Sequence, residues 1–308
     1  MILNGDVKEM LDKIESNSVQ TCITSPPYWN LRDYENDSQL GMEETPEDFA
    51  DSLVSVFSKL KRVLRKDGTL WLNLGDTYFG AKGGHWEKGN SITNDETGSK
   101  YRMHIKAPKK HKYLKTKDLV GIPWMVAFAM QRDGWYLRND IIWHKPNPMP
   151  EAVKDRCVKS HEHMFLFSHP ESKGKYYFDY KAIQEPAVGD RWGGNKPINT
   201  SNSKDKNNNF NGLTRERDMI SEYRNKRDVW TINTSSFGGA HFAVFPRKLV
   251  APCILASTRE GDTVLDTFAG SGTTCKLAQE LSRKWIGIEL NPKYANIIKE
   301  QTSQQSLF

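Results

Sequence analysis

The residues with the clearest chemical potential lie at 24–29, in the sequence TSPPYW. Each proline fixes its own φ, lacks an N–H donor and pushes the residue before it into extended geometry, so the backbone across Ser25, Pro26, Pro27 and Tyr28 is stiff. The turn follows an apolar run that is typical of a buried strand. A rigid turn at a strand end is where an open α/β sheet usually places its chemistry. An ordinary loop punctuated by prolines is the alternative for these residues alone.

A second candidate site lies in residues 261–291, GDTVLDTFAGSGTTCKLAQELSRKWIGIELN. The pattern predicts a strand, a glycine loop, a helix and a second strand that ends in Glu289. Gly270 and Gly272 allow a tight turn and a close approach to a ligand, which the N–H groups of the following helix would face. A carboxylate at the tip of the next strand can bind both hydroxyls of a ribose. The unit therefore predicts a site for a nucleoside-bearing cofactor.

Other readings of the glycine loop are weaker. The third glycine of the dinucleotide fingerprint is missing, and no GK[ST] follows, as a P-loop requires. A plain turn between a strand and a capped helix remains the alternative.

Alternating strands and helices must position these two motifs. Strands are predicted at 2–3, 21–24, 69–74, 137–144, 161–168 (facing 176–178), 263–266 and 285–289. Helices are predicted at 7–15, from 46 to near 66, and at 123–132, 246–257, 273–282 and beyond 291. We interpret the chain as one domain with core segments 1–79, 118–184 and 229–308 and two irregular inserts, 80–117 and 185–228.

The first insert is strongly basic. From residue 80 to 117 it holds ten Lys or Arg against three acids, with Trp86, Tyr101 and Tyr113 interleaved. This surplus exceeds the formal net charge of the whole chain, +6. Basic residues with interleaved aromatics favour contact with phosphates and bases, whereas a solvated loop is the alternative. The second insert, rich in Asn, Gly, Lys and Arg, is expected to read the substrate.

Composition excludes several classes of protein. Of the 308 residues, 37% are hydrophobic and 27% charged, mean hydropathy is −0.69, and no apolar run approaches the roughly 20 residues of a membrane span. The N-terminal sequence lacks the basic and apolar regions of a signal peptide, so a soluble, cytoplasmic protein of a bacterium, archaeon or phage is expected. The four cysteines stand singly, which indicates reduced and mostly buried thiols.

Four motifs, taken together, resemble a known family. They are TSPPYW, IIWHKPNP at 141–148, HFAVFP at 241–246, and DTFAGSGTT with GIEL near the C-terminus. In this order they resemble the amino-methyltransferases of DNA, and the catalytic motif preceding the cofactor motif is similar to the circularly permuted beta class. The resemblance covers both ends and much of the middle of the chain, and leaves only the two inserts unaccounted for.

The resemblance implies a fold, a cofactor and a substrate. The fold is a doubly wound, mostly parallel, seven-stranded α/β sheet of the S-adenosylmethionine-dependent methyltransferase type, circularly permuted, with inserts that read DNA. The cofactor is S-adenosylmethionine, and no metal is required. The implied cofactor-binding residues are Asp6, Thr24, His241, Phe245, Pro246, Asp266, Phe268, Gly270, Ser271, Gly272, Thr273 and Glu289.

The resemblance also gives a role to Ser25, Pro26, Pro27 and Tyr28. An exocyclic amine is a poor nucleophile because its lone pair is delocalised into the base. The Ser25 hydroxyl and the Pro26 carbonyl would accept from its N–H groups, and their stabilisation grows as positive charge develops on nitrogen. Tyr28 would stack on the flipped base.

The neutral Ser25 favours the N4 amine of cytosine, since many adenine-modifying relatives carry Asp at this position. An N6-adenine enzyme of the same fold and a nucleic-acid-binding protein without activity remain alternatives. The partner is double-stranded DNA, with a cognate restriction endonuclease and a homodimer as further expectations. The residues expected to contact DNA are Lys109, Lys110, Lys112, Lys145, Arg191 and Arg215.

Two further patterns are interpreted as structural. Pro252-Cys253 is similar to the nucleophile of cytosine-C5 methyltransferases, but Cys253 lies in a predicted helix and is interpreted as a core residue. His161, Glu162 and His163 suggest a metal site, yet adjacent residues of a strand point to opposite faces, which would leave Glu162 directed away from both histidines.

Overall fold

A computed structural model describes residues 1–33, 39–80, 92–94, 100–103, 110–187, 222–237 and 240–303. The strands are β1 Ile2–Asn4, β2 Val19–Thr24, β3 Arg32–Asp33, β4 Leu64–Leu74, β5 Ile92–Asn94, β6 Lys100–Met103, β7 Tyr136–His144, β8 His161–Ser168, β9 Glu185–Pro186, β10 Tyr223–Arg224, β11 Val229–Thr231, β12 Ser235–Phe237, β13 Ala240–Val244, β14 Thr263–Asp266 and β15 Lys284–Glu289. The helices are α1 Val7–Asp12, α2 Pro46–Val63, α3 Ile122–Arg132, α4 Arg247–Ser257, α5 Thr273–Glu280 and α6 Pro292–Ser303, with short 3-10 helices at Pro170–Ser172 and Lys181–Ile183.

One twisted sheet organises the described part of the chain. Its strand order is β1-β15-β14-β2-β4-β8-β7-β11, and every neighbouring pair is parallel except those made by β8, which is antiparallel to both β4 and β7. The predicted doubly wound, mostly parallel α/β fold is confirmed. The strand number is corrected from seven to eight, because the short edge strand β11 pairs with β7.

The two ends of the chain form one half of this sheet. Strand β1 pairs with β15, with Ile2 opposite Gly287 and Asn4 opposite Glu289, and β14 pairs with β2. The N-terminal strands therefore complete the C-terminal glycine-loop unit, as the permuted motif order predicts.

Helices cover both faces of the sheet. Buried side chains of α1, α2 and α3 form one apolar core with one face, while those of α4 and α5 form a second core with the other. Strand β2 is buried along its whole length, since it lies in the middle of the sheet between these two layers.

Helix α2 shows how local sequence sets an element. The Thr45 hydroxyl accepts a hydrogen bond from the Asp48 N–H at 3.1 Å, and Pro46 occupies the first turn, where its missing N–H is not needed. Apolar side chains at helical spacing are buried. The helix ends at Val63, earlier than predicted, because Leu64 already pairs with Val19 as the start of β4.

Smaller sheets lie outside the main one. Strand β6 pairs antiparallel with both β3 and β5, β9 pairs with β10, and β12 with β13. Residues 176–178, expected to form a strand facing β8, are irregular instead. Among the described helices, none combines the length and apolar character needed to traverse a lipid bilayer.

Candidate active site

The two sequence motifs meet at one edge of the sheet. Strands β2 and β14 are parallel neighbours, with Cys22 opposite Leu265, so their carboxyl ends emerge side by side. The last residue of β2, Thr24, donates its hydroxyl to Asp266 Oδ1 at 2.8 Å. Ser25 begins the proline turn immediately beyond this contact, and Thr267 begins the glycine loop. The structure therefore brings the proline turn and the glycine loop to the same edge of the sheet.

A buried strand residue orients the serine of the proline turn. Asn73, near the end of β4, is 2% exposed and donates Nδ2 to the His163 carbonyl at 3.0 Å. This bond directs its Oδ1 toward the turn, where Ser25 Oγ donates to it at 3.3 Å. A hydroxyl has one proton and two acceptor positions. Because the hydroxyl proton of Ser25 points to Asn73, the Ser25 oxygen can still accept a hydrogen bond from a second partner.

Both the hydroxyl and the ring carbons of Tyr28 are in contact with neighbouring residues. Its hydroxyl donates to Glu162 Oε2 at 2.6 Å and lies 3.2 Å from Asn73 Oδ1. Gly75 lies against the ring, since a Cβ at that position would come within 2.7 Å of Tyr28 Cε2. Any larger residue at 75 would displace the ring or the backbone.

Residues 40–43 support the backbone of the proline turn. The Asn30 N–H donates to the Gly41 carbonyl at 2.8 Å, and the buried Trp29 donates its indole N–H to the Glu43 carbonyl at 2.9 Å. Gly41 has φ +96°, and a Cβ there would lie 3.0 Å from the Tyr28 carbonyl oxygen. The turn is thus fixed from outside as well as by its own prolines.

The glycine loop has the geometry that the sequence predicts for ligand approach. Gly270 and Gly272 adopt φ +50° and +82°, in the left-handed region that favours glycine. A Cβ at Gly272 would lie 2.7 Å from Ile298 Cγ1 of α6, whereas one at Gly270 would meet no atom of the described residues closer than the Phe268 carbonyl oxygen at 4.0 Å. Gly272 is therefore required for packing, while open space adjoins Gly270.

Within the described part of the chain, no side chain caps the start of α5. Its N-cap residue is Gly272, and Thr273 opens the helix. The first N–H groups of a helix lack intrahelical partners and carry the positive end of the helix dipole. Phe268, Gly270 and Ser271 lie in the loop that leads to this helix end, so the predicted cofactor residues of the loop are contiguous in space.

Glu289 closes the loop from the adjacent strand. Its Oε2 accepts from the Gly270 N–H and its Oε1 from the Asn291 N–H, both at 2.8 Å. Burial is the largest influence on this carboxyl and raises its pKa to about 7, with the neighbouring Asp266 acting in the same direction. Burial likewise raises the pKa of Asp266, which accepts hydrogen bonds from Thr24 and from the Phe268 N–H.

The remaining cofactor predictions have different surroundings. Asp6 caps α1, with its Oδ1 accepting from the Lys8 and Glu9 N–H groups at 2.9 and 3.2 Å, and it follows Gly5, whose N–H donates to the Glu289 carbonyl. Phe245 packs against the second core and Pro246 is the N-cap of α4. The backbone of His241 lies in β13, but its side chain lies outside the described part of the structure.

The expected DNA contacts divide into three groups. Lys110 is exposed, and Lys112, also exposed, forms an ion pair with Glu47 at 3.3 Å. Lys145 is paired with Glu162 and is mostly buried. Lys109, Arg191 and Arg215 lie outside the described residues.

Asn73 and Gly75 are not among the predicted site residues, and Glu162 was named only in a possible metal pattern. Asn73 lies in the strand segment TLWLNL, which is buried from Thr69 to Leu74, and Glu162 lies between two histidines in the strand HEHMFLFS. For Asn73 the available signal was an amide near the end of a buried strand, because such a group needs a buried partner. Its partner, the turn at 25–28, becomes adjacent only after the sheet forms.

The two patterns interpreted as structural differ in their surroundings. Cys253 is fully buried in α4, its thiol donates to the Leu249 carbonyl at 3.3 Å, and burial raises its pKa. In β8, His163 contacts Asp140 at 2.9 Å, while Glu162 points to the opposite face and contacts Tyr28. Within the described ranges, no group of three His, Cys, Asp or Glu side chains is arranged to hold a metal ion.

Comparison with known proteins gives the family. A family model described as DNA methylase, N6_N4_Mtase, matches residues 19–300. The type II methyltransferase M.Cfr9I of Citrobacter freundii is 44% identical over 96% of this chain and 85% of its own length. The type II methyltransferase M.SmaI of Serratia marcescens is 43% identical over 97% of this chain and 89% of its own length.

Solved structures show the same fold. PvuII DNA methyltransferase, described as cytosine-N4-specific, superimposes with a TM-score of 0.63 at 20% identity and covers 98% of this chain and 85% of that one. TTHA0409 of Thermus thermophilus, a putative DNA modification methylase solved with S-adenosyl-L-methionine, superimposes with a TM-score of 0.55 at 23% identity and covers 98% of this chain and 94% of that one. With the family model spanning both the proline turn and the glycine loop, the chain belongs to the N6/N4 DNA methylase family.

Proposed function

We propose that this protein transfers a methyl group from S-adenosylmethionine to the exocyclic N4 amine of a cytosine in DNA. The observation that carries the proposal is the hydrogen bond between Thr24 and Asp266, which sets the proline turn beside the glycine loop. Membership of the DNA methylase family supports the reaction class.

The residues at the glycine loop fit the proposed cofactor. Among the described residues, none fills the space beside Gly270 and no side chain caps the N-terminus of α5, while Glu289 presents a carboxylate at the end of β15. Glu289 would accept from the ribose hydroxyls, while the loop backbone around Gly270 would approach the nucleoside closely. When bound, the cofactor supplies an electrophilic methyl group on a sulfonium.

The proline turn supplies what the acceptor amine lacks. The Ser25 hydroxyl donates its hydrogen bond to Asn73, so the Ser25 oxygen can accept from one N–H of the amine. The Pro26 carbonyl can accept from the other N–H. Two acceptors draw the nitrogen toward tetrahedral geometry and favour the positive charge that develops on it during transfer. The bond from the amine nitrogen to the methyl carbon would form as the bond from that carbon to the sulfonium sulfur breaks, and the proton that the nitrogen then loses would pass to solvent.

Ser25 also supports cytosine over adenine. It is neutral and paired with the neutral amide of Asn73, whereas the charged Glu162 binds the Tyr28 hydroxyl. A neutral oxygen at this position is the form associated with N4-cytosine enzymes in the family that the motifs resemble. The type II names of the relatives at 43–44% identity support a role beside a restriction endonuclease.

The test is chemical identification of the product. The protein is incubated with labelled S-adenosylmethionine and duplex DNA. The DNA is then digested to nucleosides, which are identified by mass spectrometry. N4-methylcytosine is expected. N6-methyladenine would overturn the choice of base and retain the enzyme, whereas no label in DNA would overturn the enzymatic proposal. Sequencing of methylated DNA from an expressing host then gives the recognition site.

A further inference from the structure

Glu162 forms a partly buried ion pair next to Tyr28. Its Oε2 accepts from the Tyr28 hydroxyl at 2.6 Å, and its Oε1 binds the Lys145 ammonium. The side chains of Lys145 and Glu162 are 15% and 13% exposed, respectively. The Lys145 ammonium also lies 4.3 Å from the centroid of the Trp143 ring, the residue opposite Glu162 in the sheet.

Such a pair is not explained by stability alone. Removing two charges from water is costly, and a buried ion pair commonly contributes no more to folding than apolar residues of the same volume. Here one carboxylate oxygen binds Lys145 and the other binds Tyr28. The pair therefore fixes a charged acceptor at the tip of the tyrosine ring.

Tyr28 is restrained on two sides by this arrangement. Gly75 lies against the ring carbons, and Glu162 holds the hydroxyl, so both the tilt and the reach of the ring are set before any ligand arrives. A ring that is already ordered loses less conformational entropy when a base stacks on it. Tyr28 is the residue to which the proposed function assigns that stacking.

We propose that Glu162 and Lys145 are positioning residues for Tyr28, and that the charge of Lys145 is committed to Glu162 instead of to a DNA phosphate. This inference rests on the proposed function. It replaces the expectation that Lys145 contacts DNA, because an ammonium held by a carboxylate and largely shielded from solvent has little charge left to displace counterions.

The kinetic test is a double-mutant cycle in the full-length protein. Single-turnover methylation and DNA affinity are measured for Tyr28→Phe, Glu162→Ala and the double variant, on duplexes carrying the mapped site. Each single change is expected to slow transfer roughly five- to twentyfold with DNA affinity changed less than about threefold, and the double variant should be no slower than the slower single one. Multiplied effects would show that Glu162 does not act through the Tyr28 hydroxyl and would overturn the proposal.

A conservative pair separates positioning from general destabilisation. Glu162→Gln combined with Lys145→Met keeps an acceptor for Tyr28 and leaves no unpaired charge, so it is expected to recover most of the rate that Glu162→Ala loses. If the transfer rate is not recovered although the thermal unfolding midpoint of the double variant equals that of the wild type, the proposal is contradicted. If Glu162→Ala does not fold, the transfer rates of two other variants still test the proposal. The double variant keeps an acceptor for the Tyr28 hydroxyl, whereas Tyr28→Phe removes the hydroxyl, so the double variant should be the faster of the two.

Salt dependence tests the assignment of Lys145 directly. In the Lys145→Met, Glu162→Gln pair, the slope of log affinity for DNA against log salt should match that of the wild type. A slope shallower by about 0.9 would mean that Lys145 neutralises a phosphate, and would overturn its assignment.

A spectroscopic readout keeps this inference separate from the proposed function. With 3-fluorotyrosine incorporated, the Tyr28 fluorine resonance is assigned by Tyr28→Phe and should shift and broaden in Glu162→Ala. The matched control is Glu47→Ala, because Glu47 accepts from the Tyr113 hydroxyl at 2.8 Å and should move the Tyr113 resonance while leaving that of Tyr28 in place. A wild type that transfers no methyl group would defeat the proposed function, whereas an unmoved Tyr28 resonance would defeat the positioning role.

Discussion

The Thr24 hydroxyl donates to Asp266 across 2.8 Å, although 242 residues separate them in the sequence. Both residues are buried, and each ends a strand, one before the proline turn and the other before the glycine loop. A second bond, from the Thr267 hydroxyl to Thr24 at 3.2 Å, extends the connection into the loop. The distance between the proposed methyl donor site and the amine site is thus set by adjacent strands of one rigid sheet.

Replacing Thr24 with valine should weaken cofactor binding. The change preserves shape but leaves Asp266 with one fewer donor, at an expected loss of about 1–3 kcal/mol in the free energy of unfolding. We expect the dissociation constant for S-adenosylmethionine to rise several-fold, measured by isothermal titration calorimetry. The matched control is Thr21→Val, since Thr21 is buried on the same strand and bonds Thr69 at 2.9 Å, away from the loop. Equal loss of cofactor affinity in both variants would contradict a specific role for Thr24.

Replacing Ser25 with alanine should reduce turnover far more than DNA affinity. Ser25 is proposed to act on the amine as charge develops, and loss of one such group reduces the rate by roughly 100-fold or more. Tyr28→Ala should behave likewise. Single-turnover rates and DNA dissociation constants are compared with those of the wild type. If either variant loses DNA affinity by the same factor as turnover, the role proposed for its residue is contradicted.

The two loop glycines should fail in different ways. Gly272→Ala places a Cβ 2.7 Å from Ile298, so we expect a marked fall in the thermal unfolding midpoint. Gly270→Ala meets no close atom of the described residues, although its φ of +50° makes alanine strained by about 1 kcal/mol. Its main expected effect is weaker binding of S-adenosylmethionine, in the open space beside the loop. The reverse ranking of the two variants in stability would contradict this division of roles.

Cofactor binding should strengthen as pH rises through 7. The pKa of Glu289 is raised from 4.5 to about 7 in the folded protein. Between these two pH values the folded protein therefore holds a proton that the unfolded chain has lost. The contribution of Glu289 to the free energy of unfolding consequently falls as pH rises across this range. Ribose hydroxyls donate to the ionised carboxylate, so binding should release this proton. A rise of roughly tenfold in affinity from about pH 6 to about pH 8 is expected.

Calorimetry in two buffers of different ionisation enthalpy measures the proton release directly. Glu289→Gln should bind weakly and lose the part of the pH dependence that belongs to Glu289. The cofactor's own amine titrates in both proteins, so the difference between them isolates the carboxyl. An identical pH profile in the two proteins would exclude Glu289 as the titrating group.

Neutralising the lysines of the basic insert should weaken DNA binding and flatten its salt dependence. In Lys109→Gln, Lys110→Gln, Lys112→Gln, the slope of log affinity against log salt should fall by up to about 0.9 for each phosphate that the protein no longer neutralises. The control is Lys66→Gln, because Lys66 is exposed and paired with Glu171 near the start of β4, away from the edge where that strand reaches Asn73. An unchanged slope in the triple variant would remove the insert from the DNA interface.

Much of the architecture follows from the sequence alone. The bounds of β14 were predicted to the residue, and those of α3, β7 and β15 within one residue, because buried periodicity and terminal signals act over a few neighbouring positions. The prediction was wrong where pairing partners decide the outcome. Helix α2 stops at Val63 because Leu64 pairs with Val19, and β11 exists because β7 offers it an edge.

The sequence by itself determined the family, the order of the two motifs and the stiffness of the turn at 25–28, since these depend on residue types and local backbone restriction. Only the tertiary structure decided which side chains surround that turn. Asn73, Glu162 and Lys145 lie on or directly after three different strands, and hydrogen bonds and ion pairs act over a few ångströms of space without regard to distance along the chain. The assignment of Lys145 to Glu162 therefore depends on the pairing of β7 with β8, which composition does not encode.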